Sequence, residues 1–210
     1  MSPIEIARQR RLSPQSAEQL RTVYLDSFPP HEREEFSFLI DSIAAGERWL
    51  YTATRDDALL GFGIIIPNIT RDVHLLEYLA VARDARSAGI GGILFDHMVA
   101  ATHESQSAIG ILLEVEHDEE GDADERALRQ RRIAFYARHG ARLIDGAPNY
   151  RVPLANADGT MRMKLLWLPV DGADVPRGDR LRECVTGIFE ESYGMSAEVA
   201  LARETLAGIG

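Results

Sequence analysis

Residues Asp72 to Thr102 read DVHLLEYLAVARDARSAGIGGILFDHMVAAT. The stretch reads as a buried strand, His74 to Val81, then a glycine-rich turn, Arg86-Ser87-Ala88-Gly89-Ile90-Gly91-Gly92, then an amphipathic helix with apolar Ile93, Leu94, Val99 and Ala100. Glycines at such a junction let the backbone come close to a ligand. The first amides of the helix have no partner inside it. Those amides and the positive end of the helix dipole together attract phosphate. The spacing is not the dinucleotide fingerprint G-x-G-x-x-G, because Gly92 is adjacent to Gly91. A lone G-x-G is also compatible with a plain tight turn. The strand before it and the helix after it favour phosphate.

Outward from this stretch the elements alternate. Ile4 and Ile6 suggest a first edge strand. Ser13-Pro14 looks like a helix start, and Pro29-Pro30 stops that helix. His31 to Ala45 reads as a second helix closed by Gly46. Three strands follow in succession, 48–55, 58–66 and 72–82, with links short enough for an antiparallel meander. Ala108 to Glu116 is again a strand. It comes after a helix, so it can lie parallel to 72–82 as a β-α-β unit. His117 to Glu125 is an acidic loop, expected to be poorly ordered, and Ala127 to His139 is a helix. Tyr150 to Leu154 and Met161 to Pro169 suggest a closing hairpin. The predicted class is α+β, a mixed and mostly antiparallel sheet flanked by helices. One domain over 1–170 is expected, with an extension over 171–210. The extension comprises a Pro/Gly/Asp linker, Asp171 to Gly178, an amphipathic helix and a last short helix capped by Ser196, packed on the domain or on a partner chain. A homodimer is compatible with such a tail.

The totals narrow the classes. The chain has 210 residues, 45% hydrophobic and 27% charged, enough for one sizeable core. No apolar run reaches the length of a membrane span, and the N-terminus lacks the apolar core of a secretory signal. The single cysteine, Cys184, excludes an internal disulfide and a cysteine-rich zinc site. The six histidines show no metal-ligand spacing, so no metal is expected. There is no G-x-S-x-G, and Cys184 on a tail helix is expected to be buried, so no acyl-enzyme nucleophile is indicated. A cytoplasmic protein with no membrane or nucleic-acid partner is the simplest reading. The net charge of −10 is compatible with steering a cationic substrate, and equally with solubility alone.

The order strand, R-x-x-G-x-G turn, helix, strand, then a helix containing F-Y-x-x-x-G resembles the GNAT superfamily of acyl-CoA-dependent N-acyltransferases. It is carried by Ala80-Val81 at the strand end, Arg86 to Gly92, and Phe135-Tyr136 to Gly140. It covers Ile4 to about Pro169. It implies an α+β acetyltransferase fold using acetyl-CoA as co-substrate and a primary amine of a small molecule or peptide as acceptor, with direct attack in a ternary complex. The amides from about Ser87 to Gly92 would cradle the pyrophosphate, with Arg86 holding the loop or adding charge. Leu79 and Val81, beside Ala80, would offer backbone groups to the pantetheine arm and the thioester carbonyl. Glu77 shares the alternating face of Leu79 and Val81 and is the first candidate base; the competing reading is a partly buried glutamate paired with an arginine. Glu114 and Glu116 are the runners-up. Tyr136 would protonate the departing thiolate, its phenol pKa of ~10 set against ~8.5 for a thiol; a core aromatic is the alternative. Many family members carry an asparagine upstream of this tyrosine, and here that position is Gln130. Arg126, Arg129, Arg131 and Arg132 are either solvated helix charge or partners of the adenosine 3′-phosphate. The acceptor wall is expected at Phe28, His31, Glu32 and Arg33, with Tyr150 and Arg151. A non-catalytic acyl-CoA-binding sensor would keep the loop and not need Glu77 or Tyr136.

Overall fold

The structure is a computed structural model, and it describes residues 2–170 and 172–210; Met1 and Asp171, the first residue of the expected linker, lie outside the described residues. The chain divides into two compact units. One comprises the described part of 1–67 with Leu76–Ser105 and Ala155–Ala157; the other comprises Asn68–Leu75, Gln106–Leu154 and the described part of 158–210. Neither unit is bounded at 170/171. Residues 172–210 count within the second.

The first unit contains β1 (Glu5–Gln9), α1 (Pro14–Ser27), α2 (Phe36–Ala45), β2 (Trp49–Arg55), most of β3 (Ala58–Thr70), the later part of β4 (Val73–Val81) and α3 (Ile90–Ser105). Its strands run in the order β1-β2-β3-β4. The β1–β2 and β2–β3 pairs are antiparallel, with Ile6 opposite Ala53 and Tyr51 opposite Gly63. Successive residues of β2 point to opposite faces. Leu50 joins Leu20, Tyr24, Leu39, Ile43, Phe62, Ile64, Tyr78 and Ala80 in a core beneath α1 and α2. Tyr51 faces the other way, its ring 6.1 Å from that of His97 on α3. Each fully buried large apolar side chain contributes about 1.5–3 kcal/mol. Ser13 caps α1 as its position predicts, its Oγ accepting the Ser16 N–H at 3.1 Å.

The second helix is shorter than its sequence predicts. A 3₁₀ turn takes Pro30–Glu32, and α2 begins only at Phe36. Side chains from elsewhere supply the hydrogen bonds a longer helix would have made. Tyr78 Oη donates to the Glu32 carbonyl at 3.3 Å, Tyr24 Oη to the Glu34 carbonyl at 3.1 Å, and Asn156 Nδ2 to the Arg33 carbonyl at 2.9 Å. β3 is longer than predicted and runs through Pro67 to Thr70. Asn68 adopts a left-handed φ of 56° there, and its N–H donates to His74 Nδ1 at 3.0 Å.

In the second unit the start of β4 lies beside β5 (Gly110–Glu116), and the order continues β5-β8-β6. Here β6 is Arg142–Leu143 and β8 is Thr160–Pro169; β7 (Arg151–Pro153) also pairs with β8. β5 and β8 are antiparallel, Glu114 opposite Leu165. The helices are α4 (Ala123–Arg138), α5 (Gly178–Glu191) and α6 (Ala200–Ala207). α6 starts later than expected because Ser196 forms a turn instead of a cap, its carbonyl accepting the Val199 N–H. The acidic loop is held rather than loose. Asp122 and Glu125 form a capping box at α4, and Arg126 and Arg129 donate to the carbonyls of Gly121 and Glu120. The class is α+β.

α5 buries Leu181, Cys184, Val185, Ile188 and Phe189 in this unit. Gly187 permits the approach: a Cβ there would lie 1.9 Å from the Ile69 carbonyl oxygen, a backbone atom that cannot swing aside. Gly187→Ala is therefore expected to destabilise the protein by about 1–3 kcal/mol, read as a lower urea midpoint at unchanged m-value.

Candidate active site

The glycine-rich junction has the geometry its sequence suggests. Arg86 to Gly89 are exposed and α3 starts at Ile90, which is buried. Ser87 and Gly89 adopt left-handed φ values of 65° and 77°. A Cβ on Gly89 would meet nothing within 4 Å, so the loop opens onto free space at the helix start. Gly91 and Gly92 lie in the first turn of α3. Arg86 ties the loop to the end of β4, its Nε donating to the Val81 carbonyl at 3.2 Å. Asp26 of α1 holds Arg83 at 2.9 Å and lies 3.7 Å from Arg86. The arrangement can hold an anion by backbone amides, with two guanidinium groups nearby.

Of the β4 candidates, Leu79 and Val81 are half-buried and Ala80 is buried in the core. Glu77, Leu79 and Val81 are all half-buried, as alternation along β4 expects. Leu79 approaches the space above Gly63, where Met98 of α3 packs. The Glu77 carboxylate meets Arg48, at 2.8 Å to Nε and 2.9 Å to Nη2, which is the arginine pairing weighed against the base role. The Arg48 guanidinium lies 5.2 Å from the ring centre of Phe38 on α2. A bidentate guanidinium is the strongest partner a carboxylate can find, and it decides the rotamer. Both side chains are nearly buried, 5% and 8% exposed. Burial pushes the Glu77 carboxyl above the usual carboxylate range, and the Arg48 guanidinium opposes that rise. Tyr78 and Tyr24 feel the same charge; burial is the larger cause that pushes both phenols up, Tyr24 to about 12.

The expected acceptor wall in this unit is a braced segment. Phe28 packs against Tyr78 with ring centres 4.8 Å apart. Arg33 Nη1 donates to the carbonyls of Leu25 and Phe28, both at 3.0 Å. His31 lies 3.5 Å from Glu32, and its carbonyl accepts the Ala155 N–H.

In the second unit Tyr136 is buried on α4, and burial pushes its phenol up to about 12, with Arg132 opposing. Its ring stacks edge-on against Phe135 at 5.2 Å. Gln130 is exposed on the same helix. The arginines of α4 do not stand as a free phosphate patch. Arg129 and Arg132 pair with Glu116, and Arg126 and Arg129 brace the acidic loop; Arg131 is exposed. Glu116 is thus neutralised, and Glu114 accepts hydrogen bonds from Tyr150 Oη at 2.5 Å and Tyr193 Oη at 3.1 Å among its contacts. Tyr150 is fully buried, and Arg151 Nε donates to Thr160 Oγ1. Cys184 is buried and its thiol is pushed up to about 11 by that burial, which disfavours a nucleophilic thiolate. Among the described residues no group of three or more His, Cys, Asp or Glu is placed to hold a metal ion, and no helix is long and apolar enough to cross a membrane.

Four residues here escaped sequence reasoning: Arg48, Tyr24, Tyr78 and Tyr193. The one available signal was that a glutamate in an apolar strand needs a cation, which points to some arginine without saying which.

Comparison with known proteins adds the following. Residues 46–140 match the family described as "Acetyltransferase (GNAT) domain". No curated protein matches the chain. Among solved structures, a putative GNAT-family acetyltransferase from Bacteroides thetaiotaomicron is similar at a TM-score of 0.69 and 22% identity, over 90% of this chain and 99% of that one. Arabidopsis thaliana NAA60 in complex with acetyl-CoA is similar at 0.59 and 18% identity, over 80% and 100%. The aminoglycoside 6′-N-acetyltransferase from Enterococcus faecium is similar at 0.58 and 20% identity, over 83% and 99%. These identities speak to the fold.

Proposed function

We propose that the chain is a GNAT-superfamily N-acetyltransferase moving an acetyl group from acetyl-CoA to a primary amine of a small molecule or peptide. The observation that carries the reading is the exposed left-handed loop Arg86–Gly89 at the start of α3, tied back to Val81. Its amides suit a pyrophosphate, and Leu79 and Val81 on the adjoining strand suit the amide-bearing arm.

Acetyl-CoA supplies the thioester carbonyl and a thiol leaving group. The chain's own residues do the rest. Glu77, its carboxyl raised by burial, accepts the ammonium proton directly or through water. Arg48 holds that carboxylate in one orientation. The amine nitrogen then forms its bond to the carbonyl carbon as the carbon–sulfur bond breaks. Tyr136 gives its proton to the sulfur. The domain expected over 1–170 supplies all of these residues, and direct attack agrees with the raised thiol of Cys184.

The test is an incubation of full-length protein with acetyl-CoA and a panel of primary amines and peptides, followed by thiol release. Gly89→Ala is the internal check. It puts a side chain where φ is 77°, at a strain of roughly 1–2 kcal/mol, on the loop that would hold the pyrophosphate. Acetyl-CoA affinity is expected to fall about tenfold. Unchanged affinity would detach the loop from the cofactor.

A further inference from the structure

We propose that Glu34 recognises the ammonium of the acceptor amine, and that Tyr24 and Tyr78 position it for this beside Glu77. The inference rests on the reading of the chain as an amine acetyltransferase and adds which residue reads the acceptor's charge.

Glu34 lies between the 3₁₀ turn Pro30–Glu32 and the start of α2. Its main chain is held on both sides. The N–H donates to Tyr78 Oη at 3.4 Å, and the carbonyl accepts from Tyr24 Oη at 3.1 Å. Tyr24 belongs to α1 and Tyr78 to β4, so two elements of the core fix one residue. The two preceding carbonyls are held as well, that of Glu32 by Tyr78 Oη at 3.3 Å and that of Arg33 by Asn156 Nδ2 at 2.9 Å. All of these residues lie in the first unit. Tyr78 is also the chain neighbour of Glu77, so the phenol that holds Glu34 is tied to the strand that carries the proposed base.

Glu34 is half-buried, and among the described residues its carboxylate has neither a hydrogen bond nor an ion pair. The cations nearby are committed elsewhere. Arg33 Nη1 donates to the carbonyls of Leu25 and Phe28, and His31 lies beside Glu32. Arg48 gives Nε and Nη2 to Glu77, with the Phe38 ring 5.2 Å from its guanidinium. The charge of Glu34 nevertheless acts on Glu77, Arg48 and Tyr24. Two carboxylates thus act on one guanidinium, which leaves one negative charge in excess when both are ionised. A carboxylate fixed at half burial has lost part of its hydration, and a cation bringing N–H donors offsets that loss. A primary ammonium has one positive charge and three N–H donors, and here it would lie beside the group proposed to take its proton. Acetylation turns it into a neutral amide that Glu34 no longer holds, so the same residue favours substrate over product. Residue 34 lies outside the family-matched stretch 46–140, whereas Arg48, Glu77 and Tyr78 lie within it.

The test uses full-length wild type, Glu34→Gln and Tyr24→Phe. Each is titrated in thermal-shift assays with butylamine, benzylamine and lysine methyl ester, against matched alcohols and N-acetyl derivatives, and then assayed for transfer. At least one amine is expected to stabilise the wild type where its alcohol and its N-acetyl form do not. Glu34→Gln is expected to abolish that stabilisation and to raise the amine KM about tenfold, far more than it lowers kcat. Its acetyl-CoA affinity and urea midpoint should stay at the wild-type values. Tyr24→Phe keeps the carboxylate but releases the Glu34 carbonyl, and is expected to weaken amine affinity severalfold at unchanged acetyl-CoA affinity. The proposal is overturned if no amine stabilises the wild type, if Glu34→Gln loses amine and acetyl-CoA affinity in parallel, or if Tyr24→Phe binds amines normally. Acetylated product with a normal amine KM in Glu34→Gln would also overturn it while upholding the transferase reading. Glu34-dependent amine binding with no acetylated product would uphold the ammonium site and reject the transferase reading instead.

Discussion

Tyr136→Phe is expected to lower kcat by about 10²-fold or more while acetyl-CoA affinity stays close to wild type. The substitution removes one oxygen from a buried ring and leaves the packing against Phe135 intact. The proton donor is lost, and a donor used in the breakdown step should show in kcat. The raised phenol also fixes a pH signature. Burial holds the group neutral up to about pH 12, so its donor function does not fade across the ordinary assay range. For stability the sign follows from linkage. A phenol whose folded value exceeds its unfolded value near ~10 contributes fully below pH ~10. That contribution is lost as pH rises from there toward about 12, and Tyr24, also raised to about 12, adds to the same loss. These two phenols therefore leave the urea midpoint unchanged to about pH 10 and lower it beyond, after the raised thiol of Cys184 has begun its own loss near pH 9. Steady-state and single-turnover kinetics of the variant separate this reading from a purely structural Tyr136, which would lower stability and leave kcat near normal.

Arg48→Ala is expected to be the most destabilising of the charge substitutions, at about 3–5 kcal/mol, because it leaves the Glu77 carboxylate buried without its partner. For a chain of this size that corresponds to a Tm lowered by roughly 6–20 °C. Replacing both residues by apolar ones, Arg48→Met with Glu77→Leu, should recover most of the stability, since a buried pair stabilises little over well-packed hydrophobic groups. The double variant should not recover acetyl transfer, because the proposed base is gone. Stability and activity thus part company in one set of proteins. An Arg48→Ala protein within about 1 kcal/mol of wild type would contradict a desolvated pair.

Local physics made much of this legible in advance. Ser13-Pro14 announced α1 through a cap, and Arg86 to Gly92 announced a strand-to-helix junction through glycines, because both signals lie within a few residues of the structure they cause. The helix predicted from His31 begins only at Phe36: the polar run His31 to Glu35 is compatible with a first helical turn, but the carbonyls of Glu32 and Glu34 are taken by Tyr78 and Tyr24. Propensity cannot register a hydrogen bond from a strand 46 residues away. The same holds at the site. Glu77 was legible as a carboxylate in an apolar strand, and its partner Arg48, 29 residues earlier, was not. The competing reading of Glu77, a partly buried glutamate paired with an arginine, is the contact the fold makes. Tyr193 was invisible for a stronger reason. It lies 79 residues from Glu114, in a tail whose pattern announces only an amphipathic helix. The loop that suits a phosphate lies in contiguous residues, whereas the Glu77–Arg48 and Glu114–Tyr193 contacts are made only by the fold.

The most direct test of the central claim is a single incubation of wild-type protein with acetyl-CoA and the primary-amine panel, read by mass spectrometry of the amines alongside titration of free thiol. Amine-dependent thiol release matched mole for mole by an acetylated amine is expected, both suppressed in Tyr136→Phe. Acetyl-CoA that binds the protein yet yields neither free thiol nor acetylated amine with any acceptor would contradict it, and would leave the loop at Arg86–Gly92 to a binding module without catalysis.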